Sequence, residues 1–287
     1  MILIAESGST KTDWCLAQDY NNQEHFSTNG LNPYFYDEKG VINILKEELP
    51  ANLPYENVAE IYFYGAGCSS ETRKNRVRGG LKAIFPKANI EVEHDLLGSA
   101  RALCGSEQGI ATILGTGSNA CIFDGNDITN QSGGMGFILG DEGSGSDLGK
   151  RFLRSYFYDE LPNDLLKIFE EEFSPDKDEI VDRVYRKPNP NRYLASYAKF
   201  LHNYLDHPFI KTIVENSFLE YISRHILKFE VRQSLPMHSV GSVAYYFHPV
   251  LKAVAENNGV SLGRTIVRPI DNLIEFHLEG GTLKSNA

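Results

Sequence analysis

One pattern, used twice, limits what this chain can fold into. Residues 2–17, ILIAESGSTKTDWCLA, read as an apolar strand, a turn of glycine, serine and threonine, and a second strand. From Ile110 the order returns in IATILGTGSNACIFDGND: apolar run, GTGS turn, strand, then a polar turn at Gly125-Asn126. Residue identity between the two is slight, yet a recurrence about 110 residues apart points to a duplicated unit. Alternating polar and apolar residues after each turn argue for strands rather than helices. Two α/β halves, each opening on a hairpin, are expected.

The first turn, GSTKT, has the glycine, lysine and threonine of a phosphate cradle. A P-loop needs a glycine directly before the lysine, another five residues earlier, and a helix afterwards. Thr10 precedes Lys11, Ala5 occupies the earlier position, and TDWCLAQ reads as a strand. GSTKT is not a P-loop. Tight Gly/Ser/Thr turns still point successive backbone N–H groups outward as an anion nest, and their small side chains let oxygens approach. Taken alone, each turn reads first as a plain hairpin, because Gly-Ser pairs are common turn chemistry.

Between the two hairpins, VINILKEEL and ETRKNRVRGGLKAIF carry helical spacing, EIYFYGAG and NIEVEHD read as strands, and LLGSARALC begins a helix. HFSTNGLNPYF is expected to turn through Gly30, Asn32 and Pro33. A boundary at residues 106–108 separates a first domain, 1–107, from a second, 108–287, with the last helix able to pack back on the first. In the second half GGMGFILGDEGSGSDLGK reads as an irregular binding loop. Helical patterns follow to about Val231, among them NPNRYLASYAKFLHNYL as one helix starting at Pro190. HSVGSVA is then a strand, YYFHPVLKAVAENNG a helix, TIVRP a strand and PIDNLIEFHL the closing helix.

The 287 residues carry 38 acids against 28 bases, a net charge of −10 that argues against a nucleic-acid or anionic-membrane surface. A start without a basic segment and the lack of a long apolar run imply neither signal peptide nor membrane span. The four cysteines, Cys15, Cys68, Cys104 and Cys121, form no CxxC pair and suit buried free thiols in a reducing cytoplasm.

Four segments in order, AESGSTKTDW, LGTGSNA, GGMGFILGDEGSGSDLG and SVGSVA, resemble the sugar kinase–Hsp70–actin superfamily. Within it the whole chain resembles the N-acetylglucosamine kinase and BadF/BadG-type ATPase family, GDEGSGSDLG being the most specific piece and GTGS the least. The resemblance implies two ribonuclease-H-like α/β domains with ATP in an interdomain cleft, and ATP and Mg²⁺ as cofactors. It makes Gly8, Ser9, Thr10, Lys11 and Thr12 the first phosphate loop and Gly115, Thr116, Gly117, Ser118 and Asn119 the second, with Gly241, Ser242 and Ala244 beside the adenosine. Asp95 becomes the catalytic base, Glu6 the metal-side acid, and Asn32, Asp95, Thr116, Gly134, Met135 and Asp141 the sugar contacts. The partners implied are a small-molecule sugar and a second copy in a homodimer, with no nucleic acid and no membrane.

Several of these positions have plainer readings. By position alone Asp95 is the N-cap of its helix, Asn32 a turn residue before Pro33, and Glu142, Ser144 and Asp147 caps of a helix starting near Asp147. His94 has neither partner nor spacing for a metal site. The family usually has an aspartate at Glu6, and a tryptophan often stands at Met135, so the metal geometry and the sugar are both open. The expected reaction is transfer of phosphate from ATP to the 6-hydroxyl of an amino sugar, most simply N-acetylglucosamine. A BadF-like ATPase that activates a dehydratase and a non-catalytic sugar-sensing regulator are the alternatives.

Overall fold

The structure, a computed structural model, describes residues 1–8, 11–174 and 176–280. Two compact units emerge: one comprises Met1–Gly109, Phe123–Thr129 and Arg268–Ala287, the other Ile110–Ile122 and Asn130–Val267.

The first unit holds strands β1 (Ile2–Ser7), β2 (Lys11–Ala17), β3 (Gln23–Asn29), β4 (Glu60–Gly65) and β5 (Asn89–His94), in the spatial order β3-β2-β1-β4-β5. β1 and β2 form the expected antiparallel hairpin, with Glu6 opposite Asp13 and Ser7 opposite Thr12. β1 pairs in parallel with β4, and β4 with β5. Parallel strands need covered faces, which fits Leu3, Ile4, Ala5, Ile61, Phe63 and Val92 being fully or almost fully buried. Helices Glu38–Glu48, Glu71–Ile84, Asp95–Cys104 and Ile270–Leu278 belong to this unit.

The second sheet contains β6 (Gly109–Leu114), β7 (Ser118–Phe123), β8 (Ile128–Gly133), β9 (Met237–Val240) and β10 (Leu262–Ile266), ordered β10-β9-β6-β7-β8. Counting strands within each sheet, both run third, second, first, fourth, fifth. The duplication inferred from two hairpins is thus a duplication of sheet topology, and the fold is α/β with two mixed five-stranded sheets. The second unit's core gathers Phe152, Phe169, Phe200, Phe218 and Tyr221, with Phe152 edge-on to Phe169 at 4.9 Å between ring centres.

Several local readings need correction. HFSTNG is mostly strand β3, and ITNQSG after the Gly125-Asn126 turn is strand β8. Both are outer strands with mostly exposed or half-buried side chains, so neither shows the apolar alternation of a buried strand. The expected single helix from Pro190 is two, Pro190–Ser196 and Ala198–Asn203. The expected strand HSVGSVA ends at Val240, with Ser242–Tyr246 helical, so the following helix is His248–Asn257. The strand expected at TIVRP lies earlier, at Leu262–Ile266. Inside the glycine-rich loop, Gly136–Leu139 forms one helical turn. All four cysteines are buried, and none is in a disulfide. Among the described residues, no helix is long and apolar enough to cross a membrane.

Candidate active site

In the second unit, three of the four motifs converge on the GTGS turn. Gly115 N–H donates to the Gly117 carbonyl at 3.0 Å, closing the turn. Gly145 N–H then donates to the Gly115 carbonyl at 2.8 Å, and Ser146 N–H to the Thr116 carbonyl at 3.1 Å. The GDEGSGSDLG segment therefore grips the turn by its carbonyls. The SVGSVA segment closes in from β9: a Cβ on Gly241, at φ +123°, would lie 2.3 Å from the Leu114 carbonyl oxygen. Only glycine fits there.

Inside this convergence the Ser118 hydroxyl is buried with no hydrogen-bond partner among the described residues. An orphaned buried hydroxyl is costly unless a ligand completes it. A phosphate oxygen held by a Gly/Ser/Thr turn would do so, and the residues fit the polyphosphate of ATP. Thr116 has an exposed side chain at the tip.

Asp141 is 7% exposed and adopts left-handed backbone at φ +60°. Its Oδ1 accepts from Ser118 N–H at 3.2 Å. A Cβ on Gly117 would sit 2.9 Å from Asp141 Oδ2, so the acid lies directly against the turn. Burial raises the Asp141 carboxyl above its ordinary value, with the Ser118 N–H opposing and Glu142 adding to the rise. Gly134 packs on the Asn119 side chain, while Met135 is 59% exposed. Of the possible caps, Ser144 takes the role, its Oγ accepting from Asp147 N–H at 3.2 Å, and the helix begins at Gly145. Asp147 instead accepts from Arg151 Nε at 2.8 Å and Ser217 Oγ at 2.7 Å. Glu142 is bound to His225 at 3.0 Å.

A cavity of about 460 Å³ opens beside Ser242, lined also by Ser196, Lys199, His202, Val243 and Tyr246. Its size suits a nucleoside. Ala244 belongs to the buried core and does not line it. Two residues on from Ser242, it points to another face of the helix. Lys199, His202 and Tyr246 carry no motif, and sequence reasoning missed them for that reason.

The first unit carries the remaining candidates. Ser9 and Thr10 lie outside the described residues. Gly8 N–H donates to the Lys11 carbonyl at 2.9 Å, closing the hairpin turn. Lys11 Nζ pairs with Asp13 at 2.5 Å. Thr12 is fully buried, its hydroxyl 2.8 Å from Ser7 Oγ and donating to the Asn29 carbonyl at 3.1 Å. Asn32 is 6% exposed and does serve a turn, its Oδ1 accepting from Tyr34 N–H at 2.9 Å.

Asp95 is the first residue of its helix, not its cap. His94 is the cap, its Nδ1 accepting from Leu96 N–H at 3.3 Å while lying 3.1 Å from Asp95 Oδ1. His94 thus has a partner, the Leu96 N–H, that the sequence did not show. The half-buried Glu6 carboxyl is pushed up to about 8, first by burial, then by Asp95 and Asp13, against the pull of Lys11. Asp95 and Asp13 both press on Glu6 against the pull of Lys11, a charge balance that a bound cation would relieve. Among the described residues no three His, Cys, Asp or Glu side chains are grouped to hold a metal ion directly.

No protein-family model and no curated protein matches the chain, whereas solved structures do. A crystal structure from Porphyromonas gingivalis, provisionally named an N-acetylglucosamine kinase, is 41% identical over 98% of this chain and 100% of its own, with a TM-score of 0.93. The chain belongs to the N-acetylglucosamine kinase family. A protein from Chromobacterium violaceum carrying the same provisional name shares 15% identity over 96% of this chain and 98% of its own, at a TM-score of 0.70. A ROK family glucokinase from Streptomyces griseus, in complex with glucose and AMPPNP, shares 10% over 96% and 97%, at 0.54. At those identities the last two speak for the fold alone. Within the N-acetylglucosamine kinase family, this member holds Glu6 and Asp95 on one unit and the GTGS turn with Asp141 on the other.

Proposed function

We infer that this sugar-kinase family member transfers the γ-phosphoryl group of ATP to the 6-hydroxyl of an amino sugar, with N-acetylglucosamine the leading substrate. The observation that carries the reading is the convergence of GDEGSGSDLG and SVGSVA on the GTGS turn around the unpartnered Ser118 hydroxyl. In this reading the GTGS backbone and Ser118 hold phosphate oxygens, and the cavity beside Ser242 takes the adenosine. Lys11, with Ser9 and Thr10, supplies a second set of phosphate donors, while the Gly8 N–H and the Thr12 hydroxyl are spent on the Lys11 and Asn29 carbonyls and shape the hairpin instead.

Asn32, Thr116, Gly134, Met135 and Asp141 bind the sugar. A carboxylate and an amide suit hydroxyls because they accept and donate hydrogen bonds at defined angles. Asp95 orients the acceptor hydroxyl and takes its proton as the new P–O bond forms and the bond to the leaving ADP breaks. Its carboxylate is available because His94 caps the helix. Glu6 holds Mg²⁺ through water, and that ion neutralises charge on the phosphates.

An ADP-release screen across hexoses, hexosamines, N-acetylated sugars and muramic derivatives, with and without Mg²⁺, tests the reading. Release dependent on an N-acetylated amino sugar and on Mg²⁺ is expected. Release indifferent to every sugar would sink it.

A further inference from the structure

Residues 133–143 include both ends of the sugar-binding stretch named above, and their backbone is held by little regular structure. Gly133, Gly134, Gly136 and Gly143 all have positive φ, as does the non-glycine Asp141 at +60°. A single helical turn, Gly136–Leu139, separates Met135 from Asp141, and its Ile138 and Leu139 are exposed. A segment of this kind keeps its shape only if side chains elsewhere fix it.

One buried imidazole does so at both ends. His225 is 3% exposed. Its Nδ1 lies 2.9 Å from the hydroxyl of Ser132, two residues before Gly134. Its Nε2 lies 3.0 Å from Oε2 of Glu142, the residue after Asp141. Both ring nitrogens are spent, one on each flank. His225 sits in a π-helical turn, Ile222–Ile226, that follows helix Pro208–Tyr221. Such turns are rare and often lie at functional sites.

The turn before it supplies a second grip. Tyr221 donates its hydroxyl to the Asn119 carbonyl at 3.0 Å, and a Cβ on Gly143 would lie 2.8 Å from its Cβ. Burial pulls the Glu142 carboxyl upward, but His225 and Arg224 outweigh it and hold the group below its ordinary value. A carboxylate there makes Nε2 the donor.

We propose that His225 is a positioning residue, a clamp that fixes the distance between the Gly134–Met135 segment and Asp141 and thereby sets sugar affinity. The inference rests on the reading that these two segments bind the sugar. It assigns to Ser132 and Glu142 the role of attachment points, with no contact to substrate. A displaced binding group loses its hydrogen bonds to the sugar in the ground state and the transition state alike. A shift shared by two segments is therefore read in the sugar KM.

The test is His225→Ala, Ser132→Ala, Glu142→Ala and Glu142→Gln in the full chain. His225→Ala should raise the sugar KM roughly tenfold or more, with kcat within about threefold of the parent and the ATP KM unmoved. Glu142→Gln keeps an acceptor for Nε2 and should recover most of what Glu142→Ala loses. The His225→Ala/Glu142→Ala double variant should add little to His225→Ala alone, because that variant already removes the bond to Glu142. A sugar KM at the parent value, or sugar and ATP KM rising together with a general loss of thermal stability, would overturn the clamp. If the parent turns over no sugar, the kinase reading fails by itself, and amide exchange judges the clamp. Protection lost across 133–143 in His225→Ala is then expected, and unchanged protection overturns it.

Discussion

At Asp95 two roles compete for one carboxylate, and its neighbour resolves the competition. With His94 accepting from Leu96 N–H, the carboxylate of Asp95 is not consumed by its own helix. Asp95→Asn keeps the size and can still hydrogen-bond a hydroxyl, but it cannot accept a proton. Loss of a general base costs about 10²–10⁴-fold in rate. Sugar phosphorylation should fall by that order, with sugar binding by calorimetry weakened far less and thermal stability nearly intact. Turnover close to the parent rate would remove Asp95 from the base position.

Glu6 makes a prediction of the same scale in pH. Its folded carboxyl titrates near 8, above its ordinary value of 4.5, so the folded chain keeps a proton that the unfolded chain releases. Stability from this group is complete below about 4.5 and is lost as pH rises through about 8. Glu6→Gln removes the titration. The Tm of the variant minus that of the parent, in metal-free buffer, should therefore grow from pH 5 to pH 8.5. A difference that stays flat over that range would contradict the shift.

Elements decide which parts of the site were legible in the sequence. Of the glycines that made the GTGS, GDEGSGSDLG and SVGSVA stretches visible, Gly149 and Gly241 are demanded by close backbone approach, and Gly241 shows how strictly. Gly241→Ala would place a methyl 2.3 Å from the Leu114 carbonyl at φ +123°. It should lower Tm and raise the ATP KM more than the sugar KM, since β9 must retreat from the phosphate turn. Parent-like values for both would show that the SVGSVA segment does not shape the nucleotide side.

Outer strands were the elements the sequence hid. β3 and β8 occupy the same place in the two sheets and carry polar, exposed side chains, so periodicity had no buried face to report. The same holds for single side chains that act at long range. His225 lies 93 residues from Ser132 and 83 from Glu142 along the chain, and no local pattern joins them. His94 escaped differently: its capping bond is local, but histidine is not among the residues that commonly signal a cap.

For the molecule as a whole, the recurrence of strand, small-residue turn and strand proved the most informative feature of the chain. Both sheets adopt the same strand order despite slight identity between the halves, because hairpin and parallel crossover follow in the same sequence each time. With a net charge of −10, the proposed reading leaves phosphate attraction to backbone N–H groups and Lys11 rather than to a basic surface. The account's central claim is that the phosphoryl group of ATP ends on the sugar rather than on water. Phosphorus–proton NMR of the products from ATP, Mg²⁺ and N-acetylglucosamine examines it most directly. The account predicts ADP and a phosphate monoester coupled to the two protons on C6 of the sugar. ADP accompanied only by inorganic phosphate, or a monoester coupled to the proton on C1, would contradict it.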